Sequence, residues 1–434
     1  MSFTKSKKIQ SGFGNFHSPF VPIVLTSLLY LIAVFNACKT SHLTQNVAYR
    51  YSGKSAVPEL KVKTHFISED SVKIYLGLST SEINFDTAGL AYFSILFRLY
   101  ENENGKPNLL RDSLQILTVA SFNNTPTTIF EVNIAAPSQR NYFLTVYLVE
   151  ENTRKGYKGQ TGIWRNRPEN KQDEQNYFIK NANQDEVMFS NITKINTPLR
   201  LFYKNKTYSH FTIYYYKPIK NMALPPYSTL QEVPIHLKPD SIFFTTAFLN
   251  PNQEGLYYIQ ADTNRLSGLS ILCVDSSFPK ITTASDLIES LRYITRNEEY
   301  EQMMKATNPK AAVDEFWLTR AGSPNRGKVL IKEFYSRVQR ANVFFTTYKE
   351  GWKTDRGIIY IIYGQPDIVN IFPDSENWTY YPKGNQSKLQ FQFVREELPF
   401  TIHHYRLIKN PDYEMSWQNA VYEWRNGFIN NLTE

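Results

Sequence analysis

Val72-Lys73-Ile74-Tyr75-Leu76-Gly77-Leu78 puts an apolar side chain on every second residue. A period of two buries one face of a β-strand and wets the other; a helix would scatter the same groups around its axis. The alternation recurs on both sides. Leu60, Val62 and Phe66 share one parity before it; Phe93, Ile95, Phe97 and Leu99, then Phe130, Val132 and Ile134, then Tyr142, Leu144, Val146 and Leu148 share one after it. Ser68-Glu69-Asp70 and Asn102-Glu103-Asn104-Gly105 punctuate the runs, and the Asn-Gly pair suits a hairpin that needs positive φ. Short strands at this spacing predict a β-sandwich over residues 56–165.

Arg165 to Asp185 is polar, contains Pro168, and reads as a linker or long loop. Phe211–Tyr216, Ser241–Leu249, Leu256–Ala261 and Leu269–Val274 then read as strands, with Pro225-Pro226 at a boundary. They predict a second immunoglobulin-like sandwich over 180–280. Beyond it the period changes. Leu287, Ile288, Leu291 and Ile294 have helical spacing, Asn308-Pro309 suits an N-cap and first helical position, and Leu330, Phe334, Val338, Ala341, Phe345 and Tyr348 trace one face of a helix expected to stop at Gly351. The continuous apolar run Gly357–Tyr363, followed by the turn Gly364-Gln365-Pro366-Asp367, reads as a buried strand. Trp378–Tyr380, Leu389–Val394 and His403–Leu407 continue as strands, and Trp417, Val421, Trp424 and Phe428 mark a closing amphipathic helix. The expected fold is mainly β, with an α+β C-terminal domain over 285–434: two sandwiches, a helical segment and a small antiparallel sheet.

A chain of 434 residues exceeds what one hydrophobic core usually serves, which agrees with several domains. With 42% hydrophobic and 20% charged residues it is too apolar to be disordered, and 29 Tyr and 29 Phe favour strands. The net charge of +8 includes Lys5, Lys7 and Lys8; residues 38–434 carry 8 − 3 = +5, with no block of five or six like charges. Nucleic acid is therefore not expected as a partner.

Lys5, Lys7 and Lys8 precede an apolar stretch from Phe20 to Phe35, interrupted only by Pro22, Thr26 and Ser27. This reads as a secretory signal peptide over 1–37. Phe35-Asn36-Ala37-Cys38 then resembles the lipobox of bacterial lipoproteins, which implies a diacylglyceryl group on Cys38 and a lipidated tether over 38–55. The other reading keeps the segment as an uncleaved signal anchor. Either way the body is exported into the cell envelope, with the membrane as a partner through its anchor. Lys39 lacks the acidic retention signal of some inner-membrane lipoproteins, so the outer membrane is expected; whether the body faces the periplasm or the outside is left open.

Gly351-Trp352-Lys353-Thr354-Asp355-Arg356-Gly357, together with Gly364, Pro366 and Asp367 and the later aromatic pair Trp378 and Tyr380, resembles the GWxTD domain. That resemblance implies an exported protein of Bacteroidetes or some other bacteria, of uncharacterised function. The residues themselves admit two accounts. In the first, Gly351 is a left-handed C-cap, Trp352 packs back on the helix, Thr354 and Asp355 hydrogen-bond the turn into Gly357, and Arg356 pairs with Asp355 or Asp367. In the second, Trp352, Asp355 and Arg356 form a recognition patch for a protein.

No catalytic residue, metal site or cofactor is expected. The histidines are scattered, and adjacent His403 and His404 on a strand would point to opposite faces. Cys273 sits in an apolar strand as a small hydrophobe, and Asp374 with Glu376, or Glu396 with Glu397, reads as solvated surface. Tyr214-Tyr215-Tyr216 invites a carbohydrate-stacking reading, although only alternate rings share a face. The expected function is a non-enzymatic envelope lipoprotein binding a protein in a membrane-associated assembly; the alternative is a glycan-binding module or an enzyme acting on cell-surface polysaccharide.

Overall fold

A computed structural model describes residues 46–52, 60–103, 106–120, 126–137, 140–164, 174–204, 210–230, 238–264, 267–372, 374–381, 388–398 and 400–428. Cys38, the signal segment, residues 38–45 and 53–55 of the tether, and the Asn104-Gly105 turn lie outside them. Among the described residues no helix is long and apolar enough to cross a membrane.

The first seven strands are β1 (Lys61–Phe66), β2 (Ser71–Ser79), β3 (Leu90–Glu103), β4 (Lys106–Ala120), β5 (Thr127–Ala135), β6 (Asn141–Glu150) and β7 (Gly156–Trp164). They form two antiparallel sheets, β1-β2-β5 and β4-β3-β6-β7. The alternating side chains read from the sequence meet between them: Val72, Ile74, Leu76 and Leu78 with Phe93, Ile95, Phe97, Leu144, Val146 and Leu148.

The next strands are β8 (Tyr177–Asn181), β9 (Glu186–Val187), β10 (Ile192–Lys194), β11 (Leu199–Tyr203), β12 (Phe211–Tyr216), β13 (Ser241–Thr245), β14 (Phe248–Leu249), β15 (Gly255–Gln260) and β16 (Leu269–Val274). They build a second pair of sheets, β14-β11-β8-β9 and β10-β16-β15-β12-β13, with a core of Ile179, Leu201, Phe211, Ile213, Ile259, Ile271 and Cys273. Strand β8 corrects the linker expected over Arg165 to Asp185: Tyr177, Phe178 and Ile179 are buried there. The polar residues around them masked that short run. The stretch Ser241–Leu249 also divides, because β13 and β14 belong to different sheets.

Helices α1 (Ala284–Ser290), α2 (Asn297–Lys305), α3 (Pro309–Ala321) and α4 (Pro324–Phe345) follow. Asn308 caps α3 by accepting from the Ala311 amide, with Pro309 at the first position, and Ser323 with Pro324 repeats the device on α4. The chain ends in the antiparallel meander β17 (Ile368–Phe372), β18 (Ser375–Tyr380), β19 (Leu389–Leu398) and β20 (Thr401–Leu407), and in a final helix over Tyr413–Arg425. That helix buries Trp417 and Trp424, whereas Phe428 lies past its end and is exposed.

The run read as a strand is a helix. Asp355–Tyr363, here α5, is buried from its first residue to Ile362, on every side, so no polar residue interrupts the run Ile358–Ile362 and the run reads as a buried strand; the Tyr413–Arg425 helix is accordingly α6. Isoleucine costs a helix only a few tenths of a kcal/mol relative to alanine, roughly, while burying each one is worth about 1.5–3 kcal/mol. Packing outweighs propensity, and Thr354 supplies the start by accepting from the Gly357 amide at 3.1 Å.

Residues 46–52 do not behave as a flexible tether. They lie on the C-terminal domain, where Val47, Ala48 and Tyr51 join its core. Two smaller clusters link the layers: Tyr75 with Phe178 and Val187, and Ile219, Leu256 and Tyr258 with Tyr348 and Phe400.

Ionisable groups make this body acid-sensitive. Glu299 of α2 accepts from Arg425 at 2.6 and 2.8 Å and from Arg320 at 2.6 Å, and the Arg425 hydrogen bonds above all hold its carboxyl down at about 2. His65 and His404 are lowered to about 4 and about 3, chiefly by burial, so both are neutral at neutral pH. Unfolded histidine takes up its proton below about 6.5, so stability declines as pH falls from there towards the folded values; the depressed Glu299 contributes stability above about 4.5 that is lost as pH falls through about 2. The free energy of unfolding should therefore fall below about pH 6.5 and steepen below about 4.5. Glu299→Gln should remove the second limb in a denaturant titration series across pH; an unchanged profile would refute the assignment.

Candidate functional site

The motif is a tight turn between the amphipathic helix α4 and the enclosed helix α5. Gly351 opens a short 3-10 turn over Gly351–Lys353, and its φ is not left-handed, which corrects the expected C-cap. Helix α4 has already stopped at Phe345. Glycine is required for another reason: a Cβ on Gly351 would stand 1.9 Å from the Ala341 carbonyl oxygen, and one on Gly357 would stand 1.9 Å from the Gly351 oxygen. Three backbone segments are thus stacked without side chains between them. Thr354 locks the stack, donating to the Gly351 oxygen at 2.7 Å while capping α5. The Trp352 amide donates to Asn342 of α4 at 3.3 Å, and its ring packs edge-on to Tyr293.

Asp355 and Arg356 reach across to the meander. Asp355 Oδ2 accepts from the Leu407 amide at 2.9 Å and so ties the start of α5 to β20. Arg356 pairs with neither Asp355 nor Asp367. Its Nη1 donates to Glu376 Oε1 at 3.0 Å, with the guanidinium over the Tyr405 ring at 4.2 Å and Phe345 at 5.2 Å. Glu376, expected on the solvated surface, is buried. Its Oε2 accepts from Trp378 Nε1 at 3.1 Å and from the Tyr51 hydroxyl at 3.0 Å. Burial, the largest single effect, opposes the Arg356 charge, but Glu376 together with Tyr51 and Tyr405 more than offsets it, so the guanidinium is held above its ordinary value. Burial, reinforced by Glu376, lifts the Tyr51 hydroxyl well above its ordinary value, so it stays a donor.

The other end of α5 is closed just as tightly. Arg337 of α4 donates to the Ile361 and Ile362 carbonyls, both at 3.2 Å, and Trp424 Nε1 donates to Ile362 at 3.1 Å, which satisfies terminal carbonyls that no solvent reaches. Gly364 turns the chain with φ +85° beside that guanidinium, and its carbonyl accepts from the Tyr380 hydroxyl at 3.0 Å. Pro366 is buried, and exposed Asp367 accepts from the Tyr381 amide at 2.8 Å.

The structure therefore gathers Gly351, Trp352, Thr354, Asp355, Arg356, Gly364 and the Trp378–Tyr380 pair around one helix, and leaves Asp367 at the rim. Tyr51, Arg337, Glu376 and Tyr405 complete the constellation and were missed. A signal for Glu376 existed: on a strand it shares a face with Trp378 and Tyr380, so an inward Trp and Tyr carry the glutamate inward with them. Nothing local to Tyr51 announces its role.

A small cleft of about 60 Å³ lies beside the motif, lined by Glu254, Asp275, Lys280, Asp286, Glu350 and Trp352 among others. Glu254 is raised there by burial first and by the neighbouring carboxylates second. Among the described residues, no three His, Cys, Asp or Glu side chains converge as metal ligands. His404 faces inward against Tyr348, His403 outward to Glu174; being neutral, His404 makes no ion pair with Glu396 at 3.8 Å.

Residues 255–426 match the family described as the GWxTD domain. This chain carries a GWxTD domain. The match starts inside the second sandwich, at the first residue of β15, upstream of the 285 expected from the change of period. No curated protein matches the chain. Among solved structures, a β-glucuronidase of Bacteroides uniformis is similar at 12% identity with a TM-score of 0.18, over 35% of this chain and 15% of that one. A superoxide reductase (neelaredoxin) of Ignicoccus hospitalis is similar at 11% and 0.16, over 25% and 78%. The chicken interferon gamma receptor alpha chain gives 17% and 0.16, over 25% and 50%. This chain thus spans only a small part of the glucuronidase, and likenesses this slight carry no argument about activity.

Two outcomes follow for the GWxTD core. Gly351→Ala forces a side chain onto backbone and should cost at least about 3 kcal/mol, the upper range for overpacking, read as a fall in denaturation midpoint. Arg356→Ala strands Glu376 and should cost about 3–5 kcal/mol, whereas Arg356→Met combined with Glu376→Leu should recover most of that loss. A fully stable Arg356→Ala variant would sink the account.

Proposed function

We propose that this chain is a membrane-anchored envelope lipoprotein whose body binds another protein in a membrane-associated assembly and performs no chemistry of its own. The observation that carries the reading is a contrast between interior and surface. The motif's polar groups are engaged inside the core, while three outer strands hold apolar side chains in water. Strand β13, at one end of its sheet, exposes Ile242 at 55% and Phe244 at 74%, and Phe248 of β14 is exposed as well. Strand β4, also outermost, exposes Leu114 and Ile116. Unprotected apolar edges are templates for pairing with another chain, and proteins that keep them use them as docking strands.

The anchor rests on the Lys5, Lys7 and Lys8 region, the apolar Phe20–Phe35 stretch and Cys38. Two or three acyl chains, at about 0.8 kcal/mol per buried methylene, hold such a body on a membrane where one would not. Lys39 favours the outer membrane.

Cys38→Ala should lower the intact mass by the acyl groups and move the protein into the soluble fraction. Phe244→Lys together with Ile116→Lys should leave stability within about 1 kcal/mol, as surface changes do, yet abolish stoichiometric co-purification of a protein from detergent-solubilised membranes. Retention of the wild-type chain on immobilised cell-surface glycan, with no protein partner lost on substitution, would favour the glycan alternative instead.

A further inference from the structure

Chain order would lead one to expect the anchor beside the first sandwich, since β1 begins at Lys61. The segment next to the anchor touches that sandwich through a side-chain hydrogen bond, Arg50 to Gln160 of β7 at 3.3 Å, and is otherwise fixed on the C-terminal domain. Asn46 and Val47 run along β17, the outer strand of the meander: the Val47 amide donates to the Val369 carbonyl at 2.9 Å, and Asn46 Oδ1 accepts from the Val369 amide at 2.9 Å. Asn46 Nδ2 donates to the Asp367 carbonyl at 3.0 Å, across 321 positions of sequence. Gln365 donates to the Ala48 carbonyl at 3.2 Å, and the Tyr360 hydroxyl to the Tyr51 carbonyl at 2.8 Å. Tyr51 then closes over Glu376 between Phe345 and Trp378. The strap is fixed by backbone, side chain and ring at once.

Resting on the lipoprotein reading, we propose that the rim of the GWxTD domain around Asn46, Asp367 and Tyr381 is the face turned to the phospholipid surface. Cys38 and Asn46 are 46 − 38 = 8 residue steps apart. At about 3.5 Å per residue, that chain spans at most about 28 Å when fully extended. A compact body the size of Leu43–Glu434 measures on the order of 55 Å across. The anchor therefore reaches the bilayer only from the strap's own end. The chemistry of that rim suits the interface: Tyr49 is 44% exposed within the strap, and Tyr381, 55% exposed, is held through its amide by the same Asp367 whose carbonyl receives Asn46. Exposed tyrosines favour the headgroup layer, where the ring leaves water and the hydroxyl stays in it.

The test uses the full chain, purified with its native anchor, on vesicles of phosphatidylethanolamine and phosphatidylglycerol carrying a headgroup energy-transfer acceptor. Donors are attached at Tyr381→Cys, Leu109→Cys or Phe244→Cys; Cys273 is buried and does not compete. Transfer from position 381 should exceed that from 109 and 244 at least two-fold. A flexible insertion of twenty residues between Cys38 and Asn46 should lower the 381 signal while the protein still sediments with the vesicles. Equal or stronger transfer from 109 or 244, or an unchanged 381 signal after the insertion, overturns the orientation and leaves the anchor intact. Sedimentation that persists in Cys38→Ala at the wild-type level overturns the anchor itself, and the orientation with it.

Discussion

A guanidinium and a carboxylate buried together are tolerated only when each satisfies the other and every remaining donor and acceptor is met; otherwise each ion costs several kcal/mol, roughly, in lost hydration. Arg356 and Glu376 meet that condition with help from distant places. The arginine comes from α5, the glutamate and Trp378 from β18, the covering rings from α4 and β20, and the last hydrogen bond from Tyr51 at the start of the body. A partly assembled domain leaves a charge stranded. The pair thus disfavours every arrangement in which the strap, helices and meander have not come together.

The glycines act on the same point through sterics. Gly351 and Gly357 let three backbones touch, which draws α5 close under α4 and leaves no solvent around it. A helix so enclosed has no water to satisfy its ends, and Thr354, Arg337 and Trp424 serve in its place. Residues that identify the family are therefore occupied in holding the interior. The exposed apolar groups on β13 and β4 belong to sheet edges of the two sandwiches, well separated in sequence from the motif.

Interfaces between the layers bind the described residues into one compact unit. Tyr258 and Leu256 meet Tyr348 and Phe400, so β15 serves the second sandwich and the C-terminal domain together. That shared strand gives a physical reason for a family match beginning at residue 255 rather than at the first helix. The same logic makes the strap integral to the domain it covers, although no local pattern ties residues 46–52 to the meander.

Sequence alone determined the two-residue alternation of the sandwiches, the capped start of α3, the apolar face of α4, and the family of the C-terminal stretch, because each is written in neighbours within a turn or a strand. Even Glu376 was legible through its parity with Trp378. Tertiary structure decided the rest. Ile358 to Ile362 became a helix because its neighbours enclose every side, which erases the period a half-wetted helix would show. Tyr177 to Ile179 became a strand by pairing with β11, amid residues that read as loop. Tyr51 and Arg337 acquired their roles because a buried charge and a buried helix end draw partners from wherever the chain passes, and sequence distance places no limit on that search.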